Sequence, residues 1–216
     1  MEGRRGLGWL VPLAGVGFVV LGIIGFIVQG EPKSADDPVN EIVDFYLDNK
    51  DQIYVGQVIG VISGLLLIVF GAYLAKVLRA ADEGAWPLAL VPLIGLVIMD
   101  VGFAIDGTIL IALAETADDI EPTSVQTLQA LWDNDFLPIA LGGMIFLFSF
   151  GIAVVRSGTL PRWLGWVAIA LGVVALIPPI GFAAFIGIAL LILIVSIMLA
   201  VRARSAPATP GTTTTT

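Results

Sequence analysis

Ile53-Tyr54-Val55-Gly56-Gln57-Val58-Ile59-Gly60-Val61-Ile62-Ser63-Gly64-Leu65-Leu66-Leu67-Ile68-Val69-Phe70-Gly71-Ala72-Tyr73-Leu74-Ala75-Lys76-Val77-Leu78-Arg79 is the stretch whose reading decides the fold. No charge interrupts it before Lys76. About 20 apolar residues in a helix cover the ~30 Å hydrocarbon core of a bilayer, so Ile53–Leu78 is long enough to cross one. Gly56, Gly60 and Gly64 recur at i+4, and Gly71 follows seven residues on. In lipid, close approach of small residues holds helices together, because hydrophobicity cannot. The stripe predicts a tightly packed bundle.

Five further stretches read the same way: Trp9–Val28, Trp86–Ala114, Phe136–Val155, Trp163–Ile177 and Ile180–Val201. The first exceeds the usual signal-peptide core of about 7–15 residues and lacks a small-x-small cleavage site, so a retained helix is expected. Pro178-Pro179 with Gly181 predicts a tight turn between the last two. The expected fold is all-α: a polytopic membrane protein of six transmembrane helices in three antiparallel hairpins. Residues 1–204 form one transmembrane domain in this reading. Residues 205–216, rich in Pro, Ala and Thr, form a disordered cytoplasmic tail.

Composition agrees. The chain is 58% hydrophobic and 13% charged, with a mean hydropathy of +1.01. A soluble domain carries about 25% charged residues. There is no Cys and no His, which removes thiolate and imidazole metal sites, Cys nucleophiles and His bases. The net charge of -8 argues against nucleic acid as a partner.

Of 10 cations, Arg4, Arg5, Lys76, Arg79, Arg156, Arg162, Arg202 and Arg204 fall on one side of the six stretches. Only Lys33 and Lys50 fall on the other. The positive-inside rule makes the first side cytoplasmic and places both termini there.

Two acidic loops on the opposite side carry patterns of their own. Asp37 is placed to cap a helix beginning at Pro38. Val39, Ile42, Val43, Tyr46 and Leu47 then form one apolar stripe. In the second loop Val125, Leu128, Leu131 and Trp132 follow Pro122. Two short amphipathic helices are expected on the outer end, either sealing the bundle or covering a cavity. Asp133-Asn134-Asp135 lacks the glycine and closing Glu of a calcium loop, so no metal site is expected.

Gly8, Gly15 and Gly22 form a further stripe in the first stretch, as do Gly165, Ala168, Gly172 and Ala175 in the fifth. These stripes favour packing within the chain over a homo-oligomer. Val11-Pro12-Leu13-Ala14-Gly15 echoes Val91-Pro92-Leu93-Ile94-Gly95 at an offset of 80 residues, and Gly22 meets Gly102. That suggests a parallel repeat of helix, outer helix, helix.

Two segments carry a resemblance. One is Glu41-Ile42-Val43-Asp44-Phe45-Tyr46 leading into the glycine-rich stretch. The stronger is Arg156-Ser157-Gly158-Thr159-Leu160-Pro161-Arg162-Trp163-Leu164-Gly165-Trp166. From about Leu7 to Arg204 the chain resembles a family of small multi-helix membrane proteins of unknown function in high-G+C bacteria. The resemblance implies a bacterial plasma membrane. It implies no activity and no catalytic residue.

The candidate chemistry is sparse. Asp100 lies near the middle of the third stretch, where an Asp costs about 2.5–3.5 kcal/mol on insertion scales. Asp106 lies about 9 Å further along, on a different face. Asp100, and behind it Asp106 nearer the outer interface, could serve a proton or ion pathway, with Gln57, Ser63, Thr108 and Ser149 as polar neighbours of Asp100, or Asp100 could hold helices together. Two aspartates on one helix do not make a proton-sharing protease pair. Asp106-Gly107-Thr108-Ile109-Leu110 lacks the continuation of a lipid-headgroup transferase motif. No catalytic residue and no cofactor is expected. The favoured function is a non-enzymatic structural, accessory or lipid-interacting membrane component. Its partners are the lipid bilayer and a membrane protein or second copy of the chain. The alternative is a small-solute or proton-coupled transporter using Asp100.

Overall fold

The structure is a computed structural model that describes residues 8–81, 86–177 and 181–205. Arg4, Arg5, the Pro178-Pro179 turn and the tail beyond Ser205 lie outside the described residues. A 3-10 turn at Val11–Leu13 leads into α1 (Ala14–Gln29), then α2 (Val39–Asp48), α3 (Lys50–Ala81), α4 (Trp86–Thr116), α5 (Pro122–Asp133), α6 (Leu137–Ser157), α7 (Arg162–Ala175) and α8 (Gly181–Ser205). No strand occurs among the described residues. α8 continues through Ser205, the first residue of the expected tail.

Five helical segments among the described residues are long and apolar enough to cross a membrane: Val11–Gln29, Lys50–Ala81, Leu88–Thr116, Pro122–Ser157 and Ala184–Ser205. The sequence pattern predicts six. The difference is α7, apolar but only 14 residues long. At 1.5 Å per residue it reaches about 21 Å, short of the ~30 Å core.

The long helices and α7 close a ring. α1 packs on α3, α3 on α4, α4 on α6, α6 on α7, α7 on α8, and α8 returns to α1. Leu67, Phe70 and Leu74 of α3, Phe146 and Phe150 of α6, and Ile192 of α8 fill its centre and are fully buried. The Phe146 and Phe150 rings stack at 5.4 Å.

Reciprocal glycine pairs set the closest approaches. A Cβ on Gly56 would lie 2.9 Å from the Gly25 carbonyl oxygen, and one on Gly25 would lie 3.0 Å from the Gly56 carbonyl oxygen. The same holds between α4 and α6, where a Cβ on Gly142 would lie 2.6 Å from the Gly95 carbonyl oxygen. It holds again between α6 and α7, at 2.7 Å from Gly151 to the Gly165 oxygen. Only hydrogen fits where backbones approach so closely.

Buried hydroxyls add directional bonds between neighbouring helices. Ser63 Oγ donates to the Phe18 carbonyl at 2.8 Å, joining α3 to α1. Ser196 Oγ of α8 accepts from the Val16 amide at 3.1 Å and donates to the Pro12 carbonyl. It thereby inserts between the two groups that an unbroken α-helix would pair directly, at the point where the 3-10 turn becomes α1.

One end of the bundle is basic. Arg202 donates to the Thr159 carbonyl, and the Arg204 guanidinium lies 5.6 Å from the Trp9 ring centroid. The start of α1, the α6–α7 connection and the end of α8 therefore share this end. The end of α3 joins them, because Gly15 faces Phe70 while Gly25 faces Gly56.

α2 and α5 lie at the opposite end, packed on each other and on α4. Ile42, Tyr46, Ile53, Leu110, Leu113 and Val125 are the fully or almost fully buried centre of this second cluster. Two expectations need correction. Asp37 does not cap α2: Pro38 takes the N-cap position, and Asp37 Oδ2 instead accepts from the Ser34 amide at 2.9 Å. In α5, Leu131 is 54% exposed while Gln129 is fully buried. Gln129, one turn on from Val125, holds the inward face because Tyr46 offers it a partner.

Candidate functional site

Asp100 sits on α4 against α3. A Cβ on Gly64 would overlap its Oδ1 and stand 3.0 Å from its Cγ, so the glycine leaves the space that the carboxyl occupies. The polar neighbours expected for it are engaged elsewhere. Gln57 Nε2 donates to Gln29 Oε1 at 2.9 Å. Ser63 is bonded to Phe18, Ser149 to the Ile145 carbonyl of its own helix, and Thr108 to the Ala104 carbonyl of its own helix.

Asp106 belongs to another neighbourhood. It faces the cap formed by α2 and α5, where the Trp132 indole N–H turns toward its carboxyl without closing a full hydrogen bond and Asp135 adds a second negative charge. Asp135 Oδ2 is likewise buried without a hydrogen-bond partner among the described residues. The two aspartates, six residues apart in sequence, do not form one site.

The cap holds a polar relay that the periodicity of the sequence does not show. Tyr46 Oη donates to Gln129 Oε1 at 2.6 Å, and Gln129 Nε2 donates to Asp133 Oδ1 at 3.0 Å. Asp133 Oδ2 accepts from the Ala35 amide at 2.8 Å, and Gln126 donates to the Ala35 carbonyl at 2.8 Å. The relay ties α2, α5 and the loop before α2 into one unit. Burial, then the charges of Asp133 and Asp106, raise the Tyr46 phenol above its ordinary pKa. Outside the relay, Tyr54 donates to Glu115, which also pairs with Lys50 at 3.7 Å, and Lys33 pairs with Glu41 at 3.6 Å.

The glycines singled out in the sequence divide. Gly15 meets Phe70 of α3 and Ile192 of α8, Gly56 meets Gly25 and Gln29 of α1, and Gly71 meets Leu93 and Leu96 of α4. Gly22 lies in ordinary contact with Ser63 Oγ, at 3.5 Å. Gly60 leaves its own Cβ position open, with nothing within 4 Å, although its amide nitrogen lies 3.6 Å from the Cβ position of Gly25. Steps of four residues rotate 40° around a helix. Gly56 thus turns to α1 and Gly64 to α4, leaving Gly60 between them.

No group of three or more acidic side chains placed to hold a metal ion occurs among the described residues. At the end opposite the basic one the geometry offers a hydrogen-bonded cap. Within the bundle it offers a filled centre and one carboxyl wedged against a glycine.

This is the architecture of a membrane-embedded helical protein. A family model described as Domain of unknown function (DUF4386) matches residues 13–206, and the chain belongs to that family. A search of the curated proteins returns no match, and neither does a search of the solved structures.

Proposed function

We propose that this protein is a non-enzymatic component of a bacterial plasma membrane, with an accessory or lipid-interacting role. In this reading it crosses the bilayer six times in three hairpins, with both termini cytoplasmic. α7 makes the short crossing. The Arg202–Thr159 and Arg204–Trp9 contacts support it, since they bring both ends of the α7–α8 pair back to the basic end.

The observation that carries the functional reading is where the intramembrane polar groups are used. Ser63, Ser196 and Gln57 each bond a neighbouring helix or its side chain, and large apolar side chains fill the centre. That distribution supports helix packing as the role of Asp100 in preference to a proton path. A protein whose inner polar groups serve its own assembly acts through its outer surfaces, on lipid or on another membrane protein.

Native mass spectrometry after gentle extraction tests this. The expected result is a stoichiometric protein partner or a defined set of retained lipids. A bare monomer with neither, under conditions that preserve other membrane complexes, would overturn the reading.

A further inference from the structure

The basic end holds a cavity of about 730 Å³ between α3 and α4, lined by Ala72, Ala75, Lys76, Arg79, Leu90 and Leu93, with Ala80 at its edge. That volume lies within the range of small-ligand sites, about 300–1,000 Å³. Its composition is split. Lys76 and Arg79, three residues apart, project from one face of α3. The remaining lining is alanine and leucine from the apolar parts of the two helices.

The other cations among the described residues are engaged elsewhere or lie outside this lining. Lys33 and Lys50 form ion pairs at the outer end. Arg202 bonds Thr159, and Arg204 lies over Trp9. Lys76 and Arg79 have no ion-pair partner among the described residues, and both are exposed.

We infer that this cavity binds the headgroup of an anionic phospholipid, with Lys76 and Arg79 on the phosphate and an acyl chain along Ala72, Ala75 and Leu93. The inference rests on the lipid-interacting reading above and names its ligand. The observations favour a lipid over a free anion because the walls are apolar and continue into the membrane-spanning part of α3 and α4. A soluble phosphate would use the two cations and leave those walls against water. Basic pockets between helices at the cytoplasmic face recognise anionic headgroups by this combination of charge and apolar contact.

The test is native mass spectrometry of the full chain, titrated separately with phosphatidylglycerol and phosphatidylcholine. Phosphatidylglycerol should be retained preferentially. K76Q/R79Q should weaken that retention about thirty-fold, from about 1 kcal/mol for each basic side chain near the surface. Arg156→Gln, at the same end but outside the cavity, should leave it unchanged. Ala72→Phe fills the cavity without altering charge and should weaken retention as well. Asp82 and Glu83 follow α3 in the sequence, outside the described residues. D82N/E83Q should retain the lipid at least as well as the parent, since neighbouring negative charge opposes an anion.

Equal retention of the two lipids would overturn the inference, as would an R156Q loss matching that of K76Q/R79Q, or a loss in D82N/E83Q. Displacement of the lipid by millimolar inorganic phosphate would overturn the lipid assignment in favour of a soluble anion. Retention of lipid without anionic preference would leave the broader reading standing. Retention of no lipid and no partner would remove both.

Discussion

The Gly64 backbone and the Asp100 carboxyl are fitted to each other: a Cβ on the glycine would occupy the place of Oδ1. The pair is a packing contact made with a polar group, and its two members should be energetically coupled. Gly64→Ala should lower thermal stability in detergent. The same change in an Asp100→Ala background should cost less, with a coupling of about 0.5–3 kcal/mol from a double-mutant cycle. Strict additivity would dissociate the two residues.

Gly142 and Gly60 offer a contrast within one structure. A Cβ on Gly142 meets backbone of α4, whereas one on Gly60 meets open space. Gly142→Ala should destabilise by about 1–3 kcal/mol, as overpacking between close helices does. Gly60→Ala should stay within about 0.5 kcal/mol of the parent. Matched thermal unfolding of the two variants measures the difference. Equal effects would count against the reciprocal glycine contact.

Tyr46 makes the cap sensitive to alkali. Its phenol ionises in the unfolded chain near the ordinary value of 10.0, but higher than that in the folded protein, where burial and the Asp133 and Asp106 charges oppose ionisation. Above that pH the unfolded state therefore binds fewer protons than the folded one, and stability falls as pH rises. Below it the contribution is complete. Tyr46→Phe should remove this part of the alkaline slope. It should also cost about 1–3 kcal/mol at neutral pH, because Gln129 Oε1 loses its buried donor. Unfolding midpoints of parent and variant across the alkaline range check both effects.

The absence of native cysteine makes topology directly measurable. With six crossings, single cysteines replacing Asp48 and Ser124 should react with an impermeant thiol reagent in intact cells. Cysteines replacing Ser157 and Ser205 should react only after permeabilisation. Labelling of Ser157→Cys from outside would show that the α6–α7 connection does not lie in the cytoplasm.

Much of the fold was legible because lipid imposes a long period on sequence. The extents of α3, α4 and α6 follow from apolar length alone, and the pattern of Val39, Ile42 and Tyr46 reveals α2. The glycines were legible as a class and less so one by one. Gly95 and Gly102, seven residues apart, both approach α6, yet their counterpart Gly142 stands in no such spacing, because a close contact needs only one glycine on the facing helix. Gln129 was hidden for a related reason. Its burial depends on a tyrosine 83 residues away, and apolar periodicity is blind to a polar residue whose partner lies on another element. The sequence puts Asp106 behind Asp100 as a candidate because it lies nearer the end of the stretch. Their separation comes from α5, whose Trp132 approaches one and not the other.

The Ser196 hydroxyl between the Pro12 carbonyl and the Val16 amide has a consequence for biogenesis. α1 leaves the ribosome before α8. Before α8 is made, the Ser196 hydroxyl is missing, and the Val16 amide is free to pair with the Pro12 carbonyl as in a regular helical turn. Arrival of α8 opens that turn and takes both bonds. The start of α1 is thus finished by a helix made long after it.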